Sequence, residues 1–296
     1  MNHPHHRLVL ASGAALALGL AVSTSGVAHA AGAPSTLRQP TDDTFLTAGS
    51  GVANSYTVLA SGTSTLVTFK DASGAPFSVP AGTPLCGTSA DVTLCQVTSG
   101  SVIIDARDGN DSVSVTVSMP VVLAGNTGDD LLRSVGTSKS TFMGGAGNDT
   151  VSYAGVTKSV SAAIGSSAGI SGGMSGSINA DVENLLGGSA ADVLIGGAHP
   201  LGRVDGAAGD DTLGGGPNGS ALVGGTGNDQ LLARGPNNYF EGGPGNDHLV
   251  GGSGVDWFFA KDGAAGDRIT CGGGDDWVSA DPGDTIVDPQ NCETIS

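Results

Sequence analysis

The chain has 296 residues, of which 51 are glycine and 4% aromatic, and 28 acidic against 11 basic side chains give a formal net charge of −17. So few large side chains cannot fill a large globular core, and the acidity argues against nucleic acid and anionic membrane surfaces as partners. An extended solenoid, in which each coil buries little, fits this composition better.

Met1 to Ala30 reads as a secretory signal peptide. His3, His5, His6 and Arg7 form a short leading region, an apolar run spans Leu8 to Ala21, and Ala28-His29-Ala30 supplies a small-residue cleavage pattern. A retained membrane anchor is the weaker alternative, because the run is short against the ~20 apolar residues a span needs. Cleavage predicts an exported, extracellular chain of about 266 residues with a charge near −18, since Arg7 leaves with the segment. No later stretch is apolar enough to cross a membrane. Only His199 and His248 remain, far apart in sequence, which disfavours a histidine-based zinc site. The four cysteines, an even number in an exported chain, predict disulfides. The local pairings are Cys86–Cys95 and Cys271–Cys292. A reduced pair or a four-cysteine metal site is the other option, but C-x-x-C spacing is missing.

Residues 31–105 form an N-terminal β module or cap. Short β-like runs recur there at Tyr56–Leu59, Leu66–Phe69, Phe77–Val79, Asp91–Leu94 and Val102–Ile104, punctuated by Gly, Ser and Pro. From 106 to 186 a glycine- and aspartate-bearing pattern appears imperfectly. Asp111, Asp130 and Asp149 lie nineteen apart, each two residues before Val113, Leu132 or Val151. The stretch Val151 to Leu186 breaks the period, either as an inserted coil with a protruding loop or as a hinge between two rolls.

Residues 187–296 carry the regular pattern and a closing cap. GGTGNDQLL (Gly224 to Leu232), GGPGNDHLV (Gly242 to Val250) and GGSGVDWFF (Gly251 to Phe259) share the form G-G-x-G-x-D-x-U-x, with U a large apolar residue. GGSAADVLI restarts the series at Gly187, with Ala190 replacing the third glycine, and GAAGDDTLG follows at Gly206. The end drifts in register through Asp267, Asp276 and Asp284. Such glycine content excludes a helix and suits turns that need positive φ. The residues after each Asp suit a very short strand whose U side chain points inward. A nine-residue turn-and-strand winds a solenoid in which two nines make one coil. Residues eighteen apart then stack, so Asp211, Asp229 and Asp247 line one edge, and Ser220, Asn238 and Asp256 the other. Stacked carboxylates repel unless a cation lies between them, and carboxylate and carbonyl oxygens are hard ligands that suit Ca²⁺.

This in-phase pattern resembles the RTX, or haemolysin-type, calcium-binding repeat family. The resemblance implies a parallel β-roll with Ca²⁺ held between neighbouring turns, so the expected class is all-β: a parallel β-roll solenoid with a small N-terminal β cap module. It also favours the inserted-coil reading of residues 151–186. Carried over, the side-chain ligands are Asp149, Asp192, Asp211, Asp229, Asp247, Asp256, Asp267 and Asp276. Asp111, Asp130 and Asp284 sit in incomplete motifs and rank lower. Asn148, Asn228 and Asn246 read as turn-formers. Trp257 and Phe259 are expected to point away from the core residue Phe258, toward the cap or a partner.

Such rolls are often attached to proteases or lipases in that family. No H-E-x-x-H occurs, and the two G-x-S-x-G matches, Gly165 to Gly169 and Gly169 to Gly173, lie in a Ser- and Gly-rich stretch without the strand and helix a nucleophile elbow needs. The sequence therefore reads as a non-catalytic, secreted calcium-binding roll whose folding is coupled to Ca²⁺. The alternative is a structural or adhesive envelope solenoid that binds little calcium. A cell-surface or protein partner is compatible with either.

Overall fold

The computed structural model describes residues 36–38, 44–48, 53–60, 66–71, 86–89, 92–97, 100–135, 139–165, 170–171 and 175–294. The expected signal segment, the Phe77–Val79 run and part of the Ser- and Gly-rich stretch lie outside these residues.

The described chain is an all-β, parallel β-roll. Among the described residues it forms a 14-stranded sheet along one side, faced by a 6-stranded sheet and then by an 8-stranded one. Through the regular coils the chain alternates between the sides, so consecutive strands belong to opposite sheets and parallel neighbours are one coil apart. Thr212–Gly214 pairs with Gln230–Leu232, then His248–Val250, then Arg268–Thr270. On the other side Ser220–Thr226 pairs with Tyr239–Glu241, then Trp257–Phe259, then Asp276–Ser279. Two nines therefore make one coil, as the period predicts.

Each coil contributes one apolar side chain per sheet to a two-column core. Leu194, Leu213, Leu231, Leu249 and Ile269 stack in one column, and Val204, Leu222, Phe240, Phe258 and Val278 in the other, all buried. Each contributes about 1.5–3 kcal/mol of hydrophobic stabilisation. Phe240 and Phe258 lie face to face with centroids 4.6 Å apart. Trp257 and Phe259 point outward as expected, and Phe259 stacks on Tyr239 at 4.7 Å.

The N-terminal strands close the open end. Ser55–Leu59 adds in parallel to Ser112–Thr116, and Thr44–Thr47 adds in parallel to Val102–Asp105. Pairing then turns antiparallel, through Leu66–Asp71, Val92–Gln96 and Cys86–Ser89. Cys86 lies opposite Cys95 in that register, and Cys95 is disulfide-bonded. Cys271 and Cys292 form a disulfide at the other end.

Stacking also passes through the irregular stretch. Lys139–Ala146 pairs with Ser175–Ile178, Thr150–Ser152 with Asn184–Leu186, and Ser161–Ala163 with Val193–Ile195. Parallel pairing is therefore continuous from the coils before this stretch to those after it. Among the described residues no helix is long and apolar enough to cross a membrane.

Candidate metal centre

The glycine-rich turns stand in two rows, one on each edge of the roll. In the second position the open turns hold a residue in the left-handed region: Gly145, Gly225, Gly243, Gly263 and Gly272, but also Arg107, Asn126 and Ala207. Gly227 has φ +141°, and a Cβ there would strike the Gly209 carbonyl of the preceding coil. Glycine is needed both for its dihedral and for that close approach.

The sixth-position carboxylates are joined by backbone. On one edge the Asp192 N–H donates to Asp211 Oδ1 at 2.7 Å, Asp211 N–H to Asp229 at 2.7 Å, Asp229 N–H to Asp247 at 2.8 Å and Asp247 N–H to Asp267 at 2.8 Å. On the other edge Asp111 N–H donates to Asp130, and Asp130 N–H to Asp149. The row continues with Glu183, whose Oε2 accepts from Asp149 N–H at 2.7 Å. Further on, Ser220 N–H donates to Asn238, Asn238 N–H to Asp256 and Asp256 N–H to Asp276. The two predicted rows are therefore present, with Ser220 and Asn238 interrupting the second.

All eight predicted aspartates are buried, as are Asp111 and Asp130. Their second oxygens fall into two classes. Oδ2 of Asp111, Asp130, Asp149, Asp211, Asp229, Asp247, Asp267 and Asp276 is buried without a hydrogen-bond partner. Oδ2 of Asp192 instead accepts from Gly188 N–H, and that of Asp256 from Gly252 N–H, both at 2.7 Å. The cause is the second motif position. Gly188 and Gly252 lie outside the left-handed region, and their N–H groups turn in to the carboxylate. In the open turns the left-handed residue turns its N–H elsewhere. Ser220 repeats the closed arrangement, its hydroxyl accepting from Gly216 N–H.

A buried carboxylate oxygen without a partner is costly. Burial accordingly pushes Asp111, Asp211 and Asp247 up to about 7 and Asp149 and Asp267 up to about 6, each against the opposing pull of its hydrogen bonds, with neighbouring carboxylates adding to the rise. Burial raises Asp130, Asp192, Asp229 and Asp276 as well.

At several open turns the bare oxygen faces a backbone carbonyl. A Cβ on first-position Gly224 would collide with Asp229 Oδ2 and lie 2.5 Å from the Gly242 carbonyl of the next coil. Gly206 and Gly125 stand in the same relation to Asp211 and Asp130, beside the carbonyls of Gly224 and Gly144. A carboxylate oxygen and a carbonyl oxygen thus meet over a floor kept open by glycine. This donor set fits a hard divalent cation, and Ca²⁺ in particular, which takes six to eight oxygens in flexible geometry.

Three features escaped the sequence reading. Asp111 and Asp130 are as buried and as bare as six of the eight residues ranked above them, and barer than Asp192 and Asp256. Glu183 takes the sixth position across the insertion, a place signalled only by an acidic residue two before the buried Leu185. The fifth-position side chains form an outer ladder, with Asp210 accepting from Asn228 N–H and Asn228 from Asn246 N–H. His248 lies half-buried against Arg268 on the outer face of the 8-stranded sheet, away from the rows.

No curated protein matches the chain. The family model of the RTX calcium-binding nonapeptide repeat matches four times, over residues 136–153, 178–199, 221–249 and 237–265. These stretches contain the turns of Asp149, Asp192, Asp229, Asp247 and Asp256, and the coils before and after them continue the same geometry. The chain carries RTX calcium-binding nonapeptide repeats, wound into a parallel β-roll.

Proposed function

We propose that this chain is an exported, non-catalytic protein that binds several calcium ions along the two edges of its roll and depends on them to fold. The observation that carries this reading is the set of eight buried, partnerless carboxylate oxygens standing in two rows, those of Asp130, Asp149, Asp211 and Asp229 beside a carbonyl of the next coil. Asp149, Asp211, Asp229, Asp247, Asp267 and Asp276 are the proposed side-chain ligands, joined by Asp111 and Asp130. Asp192 and Asp256 belong to the set only if the ion displaces the Gly188 and Gly252 N–H groups. Calcium, when bound, supplies the positive charge that offsets these oxygens. The chain's part is to hold them converged, keep each turn open at glycine, and fix each carboxylate through the N–H of the preceding coil.

Export agrees with the leading segment and with the Cys271–Cys292 disulfide, a bond that persists outside the reducing cytosol. High extracellular calcium would complete folding after release, and low calcium within the cell would leave the chain export-ready. The absence of a catalytic role rests on the sequence motifs alone. The surface task that fits such a roll is adhesion, envelope association or metal sequestration.

One observation favours the second reading, a structural solenoid with little calcium. At Asp192, Asp256 and Ser220 the roll satisfies its own edge with backbone N–H groups. Equilibrium dialysis of the full chain against Ca²⁺ with excess Mg²⁺ separates the two. Several bound Ca²⁺ per chain that Mg²⁺ does not displace are expected. Less than one per chain would leave the structural solenoid.

A further inference from the structure

The outer face of the 14-stranded sheet carries a column of side chains in register, one per coil: Arg203, Ala221, Tyr239, Trp257 and Trp277. All but Ala221 are large. The missing bulk at Ala221 leaves a cavity of about 480 Å³ above it. That volume lies within the ~300–1,000 Å³ of small-molecule sites. Leu201 and Arg203 line it on one side, and Tyr239, Glu241 and Trp257 on the other. None of these side chains belongs to the carboxylate rows.

Both walls are held in place. Arg203 Nη2 donates to Asp205 Oδ2 at 2.8 Å within its own strand, and the Arg203 backbone N–H donates to Asn184 Oδ1. Tyr239 stacks at 4.7 Å on Phe259, which belongs to the coil beyond it. Arg203 and Tyr239 stand two strands apart, a span of about 9.6 Å. A flat aromatic ring needs about 3.5 Å to each wall and would leave roughly 2–3 Å of that span empty. A puckered saturated ring with axial hydrogens is thicker and fills it. The rim offers both kinds of hydrogen-bond partner. The guanidinium N–H groups that Asp205 does not take can donate, as can the amide N–H groups of Asn237, whose Oδ1 is held by Val255 N–H. The Glu241 carboxylate accepts, and the Tyr239 hydroxyl does either. Burial raises that hydroxyl, the Glu241 charge adds to the rise and the Arg203 charge opposes it, so both charges act on the same group. Asp205 already offsets Arg203, and the chain carries −17, so the site has no spare positive charge for an anionic ligand.

We propose that this cavity binds one pyranose ring of a neutral glycan, stacked between Arg203 and Tyr239 over Ala221, with its hydroxyls hydrogen-bonded to Arg203, Asn237 and Glu241. The C–H faces of the sugar meet the Tyr239 ring on one side and the stem and plane of Arg203 on the other. Leu201 and Trp257, 64% and 40% exposed, leave the rim open, so neighbouring sugars of a longer glycan can pass over them. The site is built on a sheet face and does not depend on which ions the turns hold.

The test is an array of neutral and acidic oligosaccharides probed with the full chain in saturating Ca²⁺. Each captured oligosaccharide is then titrated against the fluorescence of Trp257 and Trp277, the chain's two tryptophans. A neutral oligosaccharide should be captured and should change the emission with a Kd of roughly 0.1–1 mM, as the contact area of one ring allows. Ala221→Phe fills the cavity with a further rung of the ladder, which suits a strand, so its far-UV circular dichroism should match the wild type. Its affinity should fall about 10-fold or more. Tyr239→Ala removes a wall and should weaken binding to a similar degree, and it carries the test alone if Ala221→Phe does not fold. Trp277→Ala, outside the cavity, should leave affinity unchanged. Capture of no neutral oligosaccharide, capture of acidic ones only, or wild-type affinity in a folded Ala221→Phe or Tyr239→Ala would overturn the site. Indole bound as tightly as the best oligosaccharide would assign the cavity to a flat aromatic group. A wild-type dimer in sedimentation velocity that Ala221→Phe dissociates would assign it to a second copy of the chain. Either result would overturn the sugar reading.

Discussion

Replacing Asp247 by Asn should change stability in opposite directions with and without calcium. Asp247 Oδ1 accepts the Asp229 N–H at 2.8 Å, a bond the Asn amide oxygen can keep. Its Oδ2 is buried without a partner, and Asp229, Asp267 and Asp262 lie near enough to raise it further. Moving this carboxyl from 3.8 to about 7 corresponds to at most about 4 kcal/mol of destabilisation above that pH. The turn lies at the roll's edge, and screening by water leaves about half of this, roughly 2 kcal/mol. In chelator at pH 8 the variant should therefore be more stable by about that amount. In calcium at about 1,000 times Kd a lost ion removes about 4.1 kcal/mol, for a net loss of about 2 kcal/mol. At about 2–4 °C per kcal/mol for a chain of this size, the melting point should rise roughly 5 °C in chelator and fall roughly 5 °C in calcium, relative to wild type. Thermal melts by far-UV circular dichroism, with sucrose throughout to populate the metal-free fold, read both differences. Equal destabilisation in both conditions would make Asp247 an ordinary structural residue and refute the reasoning.

Other outcomes follow from the same geometry. The metal-free fold binds protons at Asp111, Asp211 and Asp247 up to about pH 7, above the unfolded value of 3.8. The folded state thus holds more protons than the unfolded one between these values, so metal-free stability should fall as pH rises from about 4 to 7. Denaturant melts in chelator at pH 5 and pH 8, again with sucrose to populate the metal-free fold, measure this, and saturating calcium should abolish or reverse the trend. Asp192→Asn and Asp256→Asn each leave a backbone N–H donor, that of Gly188 or Gly252, without its acceptor. They should cost about 1–3 kcal/mol equally in chelator and in calcium, with no change in the number of bound ions. Replacing Cys271 and Cys292 together by Ser opens a loop of 21 residues and should cost about 3 kcal/mol. Hydrogen exchange should then accelerate in the last coil, 276–294, and stay slow around Leu231.

The fold was legible because its core and its turns repeat in phase. Leu231 and Leu249 lie eighteen apart in sequence and stack in register, as do Asp229 and Asp247. What the sequence could not reveal is the conformation of the second glycine. GGTGND and GGSGVD look alike, yet Gly225 is left-handed and Gly252 is not, and this alone decides whether the carboxylate oxygen is bare or satisfied. Glycine adopts either state at little cost, so its presence carries no information about which one is chosen. The reverse also holds, since Asn126 and Ala207 sit in the left-handed region with φ 77° and 71°, and their turns remain open. For that reason the incomplete motifs around Asp111 and Asp130 give the same open turns as the complete ones. Glu183 was hidden because the insertion places it 34 residues from Asp149, which no fixed period anticipates.

The central claim, that calcium completes the fold, is tested most directly by far-UV circular dichroism of the full chain during a Ca²⁺ titration, with Mg²⁺ in parallel. A cooperative gain of β signal with Ca²⁺ and none with Mg²⁺ is the predicted result. A spectrum already folded in chelator and unmoved by Ca²⁺ would contradict the account.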